Sequence, residues 1–227
     1  MRINTAAVCA GMLVSGTALA NSGDQMIGYS GISHAMGGAV VAAPQDVTTS
    51  LSNPAGLAYV NLGDQKTRFD MNLAVLNPNR TMNGVDSDSE AYVMATGGFA
   101  FQSEKFGPDL TIGVGAYPVS GGGVDFPAAA FTLPTGANAA IVASRMSLRI
   151  GPAVAYRVRD DLSVGLNLSL VANQMSIKNF DTSTMPPKSM NFPSDVAYGG
   201  SFVLGTIYKI SDRTSFGASY TSKSYTE

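Results

Sequence analysis

The feature that most constrains this chain is a strict alternation of side-chain type that begins after Lys66 and recurs to its end. Phe69, Met71, Leu73 and Val75 fall on one face of an extended segment, with Arg68, Asp70 and Asn72 on the other. Val93, Ala95, Phe99 and Phe101 alternate with Thr96, Gly98 and Ala100, and Leu110, Ile112 and Val114 with Thr111, Gly113 and Gly115. Met146, Leu148, Ile150, Val154 and Tyr156 oppose Ser147, Arg149, Gly151 and Arg157. The clearest case sets Leu162, Val164, Leu166, Leu168 and Leu170 against Ser163, Gly165, Asn167 and Ser169. Phe202, Leu204 and Tyr208, then Phe216, Ala218 and Tyr220, complete about seven segments. A period of two places one apolar face on each strand.

Two architectures share that pattern. A soluble sandwich turns its apolar faces inward; a transmembrane barrel turns them to lipid and lines its lumen with small or polar residues. The polar faces here carry Ser, Thr, Gly and Asn, not Lys and Glu, and charged residues are only 13% of the chain. A soluble surface needs about twice that share. The connections also alternate: Pro78 to Glu90, Pro118 to Ala143 and Ser176 to Asp195 are long, whereas Ser103 to Asp109, Val158 to Asp161 and Ser211 to Arg213 are short. Outer-membrane barrels have this rhythm, with short periplasmic turns and longer external loops. The expected fold is therefore all-β, a transmembrane antiparallel β-barrel, with strands over 64–227. Seven strands are an odd number and do not close a bacterial barrel, so the barrel is partial or closes with a partner. A net charge of −2 and the lack of a basic stripe argue against nucleic acid as a partner.

Before the strands lie two other segments. Residues 1–20 have the order of a secretory signal: Arg2, an apolar stretch from Ala6 to Val14, and Ala18-Leu19-Ala20 as a small-residue cleavage site. Cys9, the only cysteine, falls inside it, so the mature chain offers neither disulfide nor thiolate. Residues 21–63 are rich in Gly and Ala and are broken by X-Pro steps, which implies a compact irregular plug on the periplasmic side. Within it, Asn53-Pro54-Ala55 is a turn: Pro54 fixes φ and biases Asn53 to an extended backbone.

Gly37-Gly38-Ala39-Val40-Val41-Ala42-Ala43 followed by Asn53-Pro54-Ala55-Gly56-Leu57-Ala58 resembles the N-terminal plug of the FadL/TodX family of outer-membrane transporters. Gly113-Val114-Gly115-Ala116-Tyr117-Pro118 and Gly217-Ala218-Ser219-Tyr220-Thr221-Ser222-Lys223 are similar to strand segments of the same family. The resemblance implies a fourteen-stranded barrel with an N-terminal hatch, of which this chain holds the first half. It implies passive uptake of long-chain fatty acids or other hydrophobic compounds across the outer membrane of a Gram-negative bacterium. It assigns Asn53, Pro54 and Ala55 to the hatch and makes Gly113, Gly115 and Pro118 a kink that opens the wall sideways. The strand simply ending at Pro118 is the alternative, and for function the alternative is a structural or adhesive barrel without transport.

The residues offer no enzyme. His34 is the sole histidine and has no carboxylate at a suggestive spacing, so neither a Ser-His-Asp set nor a metal cluster is expected, and no cofactor. The pairs Asp86/Asp88 and Asp160/Asp161 fall in expected loops. Two features point to a hydrophobic ligand and to lipid as the partners. The stretch from Gly121 to Ala143 is apolar for a connection, and Phe126 and Phe131 would form an external capture groove there or pack against other loops. Arg149, inside the lumen face with Arg145 and Arg157, would meet a ligand carboxylate or pair with Asp24 or Asp46 of the plug.

Overall fold

The computed structural model describes residues 25–89, 91–102, 104–133, 135–181 and 185–227. The expected signal segment, its cleavage site and Asp24 lie outside the described residues. Among the described residues ten strands follow the N-terminal segment: β1 (Thr67–Leu76), β2 (Thr81–Met82), β3 (Val85–Asp86), β4 (Tyr92–Gln102), β5 (Leu110–Phe126), β6 (Ile141–Arg159), β7 (Leu162–Asp181), β8 (Lys188–Ser211), β9 (Thr214–Thr221) and β10 (Tyr225–Thr226). All pairings are antiparallel. The main sheet runs β1-β4-β5-β6-β7-β8, and β8 is then covered by β9 at one end and β10 at the other. β2 and β3 form a separate hairpin in the connection after β1.

The alternation of the sequence becomes an inside-out sheet. Phe69, Met71 and Leu73 are each 65% exposed, while Arg68, Asp70 and Asn72 on the opposite face are half-buried. On β7, Leu168 and Leu170 are exposed, whereas Ser163, Asn167 and Ser169 are buried. Burial of an apolar side chain is worth about 1.5–3 kcal/mol, so a sheet in water would turn these residues inward. Their outward placement fits a sheet whose convex solvent is hydrocarbon.

Strand lengths depart from the alternation. β6, β7 and β8 have 19, 20 and 24 residues, against the roughly 9–11 that cross a tilted bilayer. The connection expected over Ser176–Asp195 is therefore mostly strand, and that over Pro118–Ala143 is strand at both ends. Gly121 to Phe126 pair with Met146 to Ile141, and Ile177 to Asp181 pair with Phe192 to Lys188. Apart from the buried Phe126, the described side chains of these outer ends are exposed or half-buried on both faces, so the period of two has no lipid to report and disappears from the sequence.

Residues 25–63 fill the concave side. They hold two short helices, α1 (Gly31–Ala35) and α2 (Thr49–Ser52), and a 3-10 helix over Pro54–Tyr59. Ser30 caps α1 by accepting from the Ser33 amide. The buried core lies between this plug and the wall: Val47, Leu57, Ala58, Val60 and Leu62 meet Ala100, Ala153 and Ala155. Leu51 joins Tyr117, Val119 and Val203, with Tyr29 packed against them. Small inward residues let the plug come close. A Cβ on Gly165 would overlap Ala55, one on Gly205 would overlap Asn53 Oδ1, and one on Gly217 would meet Val41 O at 2.5 Å.

Asn53 is fully buried in that seat. Its Nδ2 donates to Val41 O (2.7 Å) and to Thr206 O on β8 (3.0 Å), and its Oδ1 accepts from the Ala55 amide (3.2 Å). The Asn-Pro-Ala turn is thus a rivet between plug and wall. Ser163 Oγ donates to Ala55 O (3.0 Å), and Asp70 Oδ2 accepts from the Val47 amide (2.8 Å).

Two outcomes follow. Leu168→Lys should destabilise the folded protein in lipid vesicles by roughly 2–4 kcal/mol in urea titrations; no loss would mean that Leu168 faces water. Asn53→Ala leaves two carbonyls short of a donor at roughly 1–3 kcal/mol for each buried group. Limited proteolysis should then cut the 40–60 region faster while the strands stay protected.

Candidate functional site

The wall has a break. β4 and β5 pair only from Gln102↔Thr111 to Gly97↔Ala116. Beyond Ala116, β5 stays with β6 but leaves β4, so Tyr92 to Thr96 of β4 have a ladder partner only in β1. The cause is local. The β5–β6 register shifts between Pro118 and Ser120, which makes Val119 a bulged residue. Pro118 has no amide to give to β4, and proline is tolerated in sheets where such an edge or bulge exists. The bulged carbonyl is taken by the plug: the Met26 amide donates to Val119 O (3.0 Å), and Gln25 bridges to Ser120.

The break is framed above. Arg80, from the connection after β1, donates to Gly123 O of β5, to Ser89 O (2.7 Å) and to the Tyr92 hydroxyl (3.1 Å). The Tyr92 hydroxyl itself donates to Gly123 O (2.7 Å), and the Arg80 guanidinium lies over the Tyr92 ring at 5.3 Å. Higher still, Ser87 Oγ accepts from the Asp125 amide and the Asp88 amide donates to Asp125 O. The upper end of β5 is therefore held by loop contacts instead of by a ladder. The opening between the last β4–β5 pair and this brace is bounded on every side.

A cavity of about 370 Å³ occupies the opening, lined by Val93, Met94 and Ala95 of β4, Pro118 and Gly121 of β5, and Met146 of β6, among others. Val93 and Met146 belong to the exposed apolar face, so the cavity reaches the lipid side. On the luminal side a second cavity of about 280 Å³ lies between plug and wall, lined by Met26, Tyr29, His34, Asn72, Met94 and Thr96, among others. Both are of the size that holds a small organic ligand.

The expected site residues separate in space. Pro118 sits at the bulge beside the opening. Gly113 and Gly115 lie in the regular ladder below the bulge, paired with Ala100 and Gly98 on one side and with Ala153 and Gly151 on the other. They make room instead. A Cβ on Gly113 would come within 3.1 Å of Leu57 of the plug, and one on Gly115 would overlap the Tyr117 ring. Tyr117 lies flat over Gly115 and Gly98, and its hydroxyl meets Ser50 Oγ (2.7 Å) and donates to Val47 O (3.3 Å) of the plug.

The apolar stretch from Gly121 to Ala143 is strand at its two ends, 121–126 and 141–143. Phe126 and Leu133 are buried and Phe131 is half-buried, so these side chains are packed within the outer structure. Neither Phe126 nor Phe131 lines either of these two cavities. Arg149 is on β6, directly opposite Tyr117, and is 9% exposed. Its Nε is buried without a hydrogen-bond partner, and among the described residues no carboxylate pairs with it. Asp46 turns to its own segment, accepting from the Thr48 amide (3.0 Å). Burial pushes the Tyr29 hydroxyl above the ordinary tyrosine range, and the charge of Arg149 pulls it back, which places the guanidinium beside the plug. His34 Nδ1 contacts Ser30 O at 2.8 Å, a local role. Among the described residues no cluster of His, Cys, Asp or Glu could hold a metal.

Sequence inspection misses Met94, Tyr92 and Arg80. Met94 reads as one more strand residue, and the brace involves a loop whose partners are set by tertiary structure. Only Pro118 within an otherwise regular strand marks the site in advance.

The same wall and plug occur in solved structures. The Pseudomonas putida toluene transporter TodX superposes with a TM-score of 0.71 at 20% identity over 89% of this chain and 57% of its own. The CymD monoaromatic hydrocarbon channel gives 0.68 at 19% over 88% and 54%. A Pseudomonas aeruginosa FadL homologue gives 0.59 at 14% over 89% and 53%. The chain thus spans about half the length of these proteins, and its barrel is correspondingly partial. No curated protein matches it. Residues 11–227 match the family described as "Outer membrane protein transport protein (OMPP1/FadL/TodX)". With nearly all of its 227 residues covered by that match, the chain belongs to the OMPP1/FadL/TodX family of outer membrane transport proteins.

Proposed function

We propose that the protein conducts hydrophobic small molecules across the outer membrane of a Gram-negative bacterium, and that they leave the lumen sideways through the break between β4 and β5. The stretch of β4 that has no ladder to β5, with a cavity of about 370 Å³ in the gap, is the observation that carries this reading. A solute crossing there passes from an apolar lumen to acyl chains without meeting bulk water. Its transfer is driven by burial of apolar area at roughly 25 cal/mol per Å², and net direction comes from consumption inside the cell. No covalent step is involved. The chain reaches the membrane through a signal peptide removed after Ala20, and 21–63 act as the periplasmic plug. The solved neighbours named as toluene and monoaromatic hydrocarbon channels favour an aromatic hydrocarbon as solute.

A long-chain fatty acid is the finer alternative, and Arg149 is the observation that favours it. A guanidinium that is buried beside the lumen without a carboxylate of its own can bind that of a ligand by charge-assisted hydrogen bonds. The second half of the lumen would then hold the tail.

Two measurements test these statements. Cells expressing the full-length protein should take up labelled toluene or oleate faster than cells with an empty vector, while a heat-shifted gel band confirms the folded barrel; a folded barrel without flux contradicts the proposal. Arg149→Met should lower oleate uptake by about tenfold, the weight of one charge-assisted bond, and leave toluene uptake unchanged. An equal effect on both solutes would make Arg149 structural.

A further inference from the structure

Met94 has a position that its sequence context does not announce. It is the residue shared by the linings of the luminal cavity and of the cavity in the wall break. It points inward and is 7% exposed, between the outward-facing Val93 and Ala95. On β1 its ladder partner is Ala74, which lines the luminal cavity. Toward β5 it has no ladder partner, because the β4–β5 pairing has already ended at Gly97↔Ala116. There its side chain spans the gap: a Cβ built on Gly121 of β5 would lie 3.9 Å from the Met94 terminal methyl. Gly121 carries no side chain to meet it, and beyond Gly121 the frame is closed by Arg80 and Tyr92 on Gly123 O.

We propose that Met94 is the gate of the lateral opening, the side chain that a hydrophobic solute displaces on its way from the luminal cavity to the lipid. The inference rests on the lateral route proposed above and names the residue that sets its cross-section. Methionine suits the task. Its unbranched thioether has three rotatable bonds and contacts apolar and aromatic solutes well in several rotamers. A β-branched residue at the same place would be stiff at χ1. Side-chain rotation is fast compared with motions of the plug, so the gate opens without breaking the seat of Asn53 or the brace of Arg80. The pore is then selective by width: a flat ring slips past a swung methionine more readily than a wide or branched solute.

The test reads passage through the gap directly. Full-length protein with Ala74→Cys and every native cysteine, Cys9 included, replaced by serine carries one thiol, on the luminal side of Met94. In vesicles containing a pyrene maleimide dissolved in the bilayer, with excess glutathione in the water, that thiol is labelled from the lipid. Adding Met94→Ala should speed labelling several-fold and Met94→Ile should slow it, with the heat-shifted band unchanged in both. Equal labelling rates in the three proteins would overturn the assignment, whether or not the protein transports. In cells, Met94→Ala should raise uptake of naphthalene relative to toluene several-fold; an unchanged ratio in a transporting protein would also overturn it. Absence of uptake by the unmodified protein, with labelling still dependent on Met94, would instead sink the transport reading and leave the gate.

Discussion

Every feature of this structure depends on the backbone having no water to bond to on one side of the sheet. In hydrocarbon an unpaired amide or carbonyl costs several kcal/mol, so strands must be laddered wherever they meet lipid. That requirement makes the inside-out burial of β1 and β7 possible, because the ladder removes the polar backbone and only side chains face outward. It also makes the break between β4 and β5 conspicuous. The groups freed there are kept from lipid by particular means: Pro118 has no amide to leave unpaired, Val119 O accepts from Met26 of the plug, and Gly123 O accepts from Arg80 and Tyr92. The interruption is thus capped on β5 at each end.

The plug is the second consequence. The lumen face carries Gly, Ala and Ser, which leaves space, and residues 25–63 fill it with the molecule's principal apolar core. The plug is held in two different ways. Its C-terminal part is seated backbone-to-backbone on β7, β8 and β9, where Gly165, Gly205 and Gly217 admit Asn53, Pro54 and Ala55 and the Val41 carbonyl. Its N-terminal part is held by the Gln25–Ser120 bridge and the Met26 amide on Val119 O, and by Thr96 Oγ1 to Tyr29 O and Asn72 Oδ1 from the Gly31 amide, next to the luminal cavity.

How much of this was visible in the sequence follows from where the lipid lies. Inside the bilayer the two faces of a strand meet different solvents, so Leu162 to Leu170 announce both strand and orientation. Beyond the bilayer both faces meet water, and Ile177 to Asp181 and Gly121 to Phe126 read as loops although they are laddered. Glycine was ambiguous for a related reason. Gly113 and Gly115 look like a kink, but their effect is to admit Leu57 and the Tyr117 ring, partners from elsewhere in the fold that no local pattern encodes. Phe126 and Phe131 looked exposed because apolar residues in a presumed loop have nothing to pack on. Once Gly121 to Phe126 is a strand, they do. Met94 was illegible for the plainest reason: its significance lies in the neighbour it lacks.

The outward-facing apolar surface is the claim on which the lateral route stands. These 227 residues contain no tryptophan, so a tryptophan placed singly at successive positions from 163 to 170 of a full-length protein with any other tryptophan changed to phenylalanine reports alone. In vesicles of brominated phosphatidylcholine its fluorescence should be quenched strongly at 164, 166, 168 and 170 and weakly at 163, 165, 167 and 169. Uniform quenching, or the opposite phase, would mean that the leucines of β7 do not meet acyl chains.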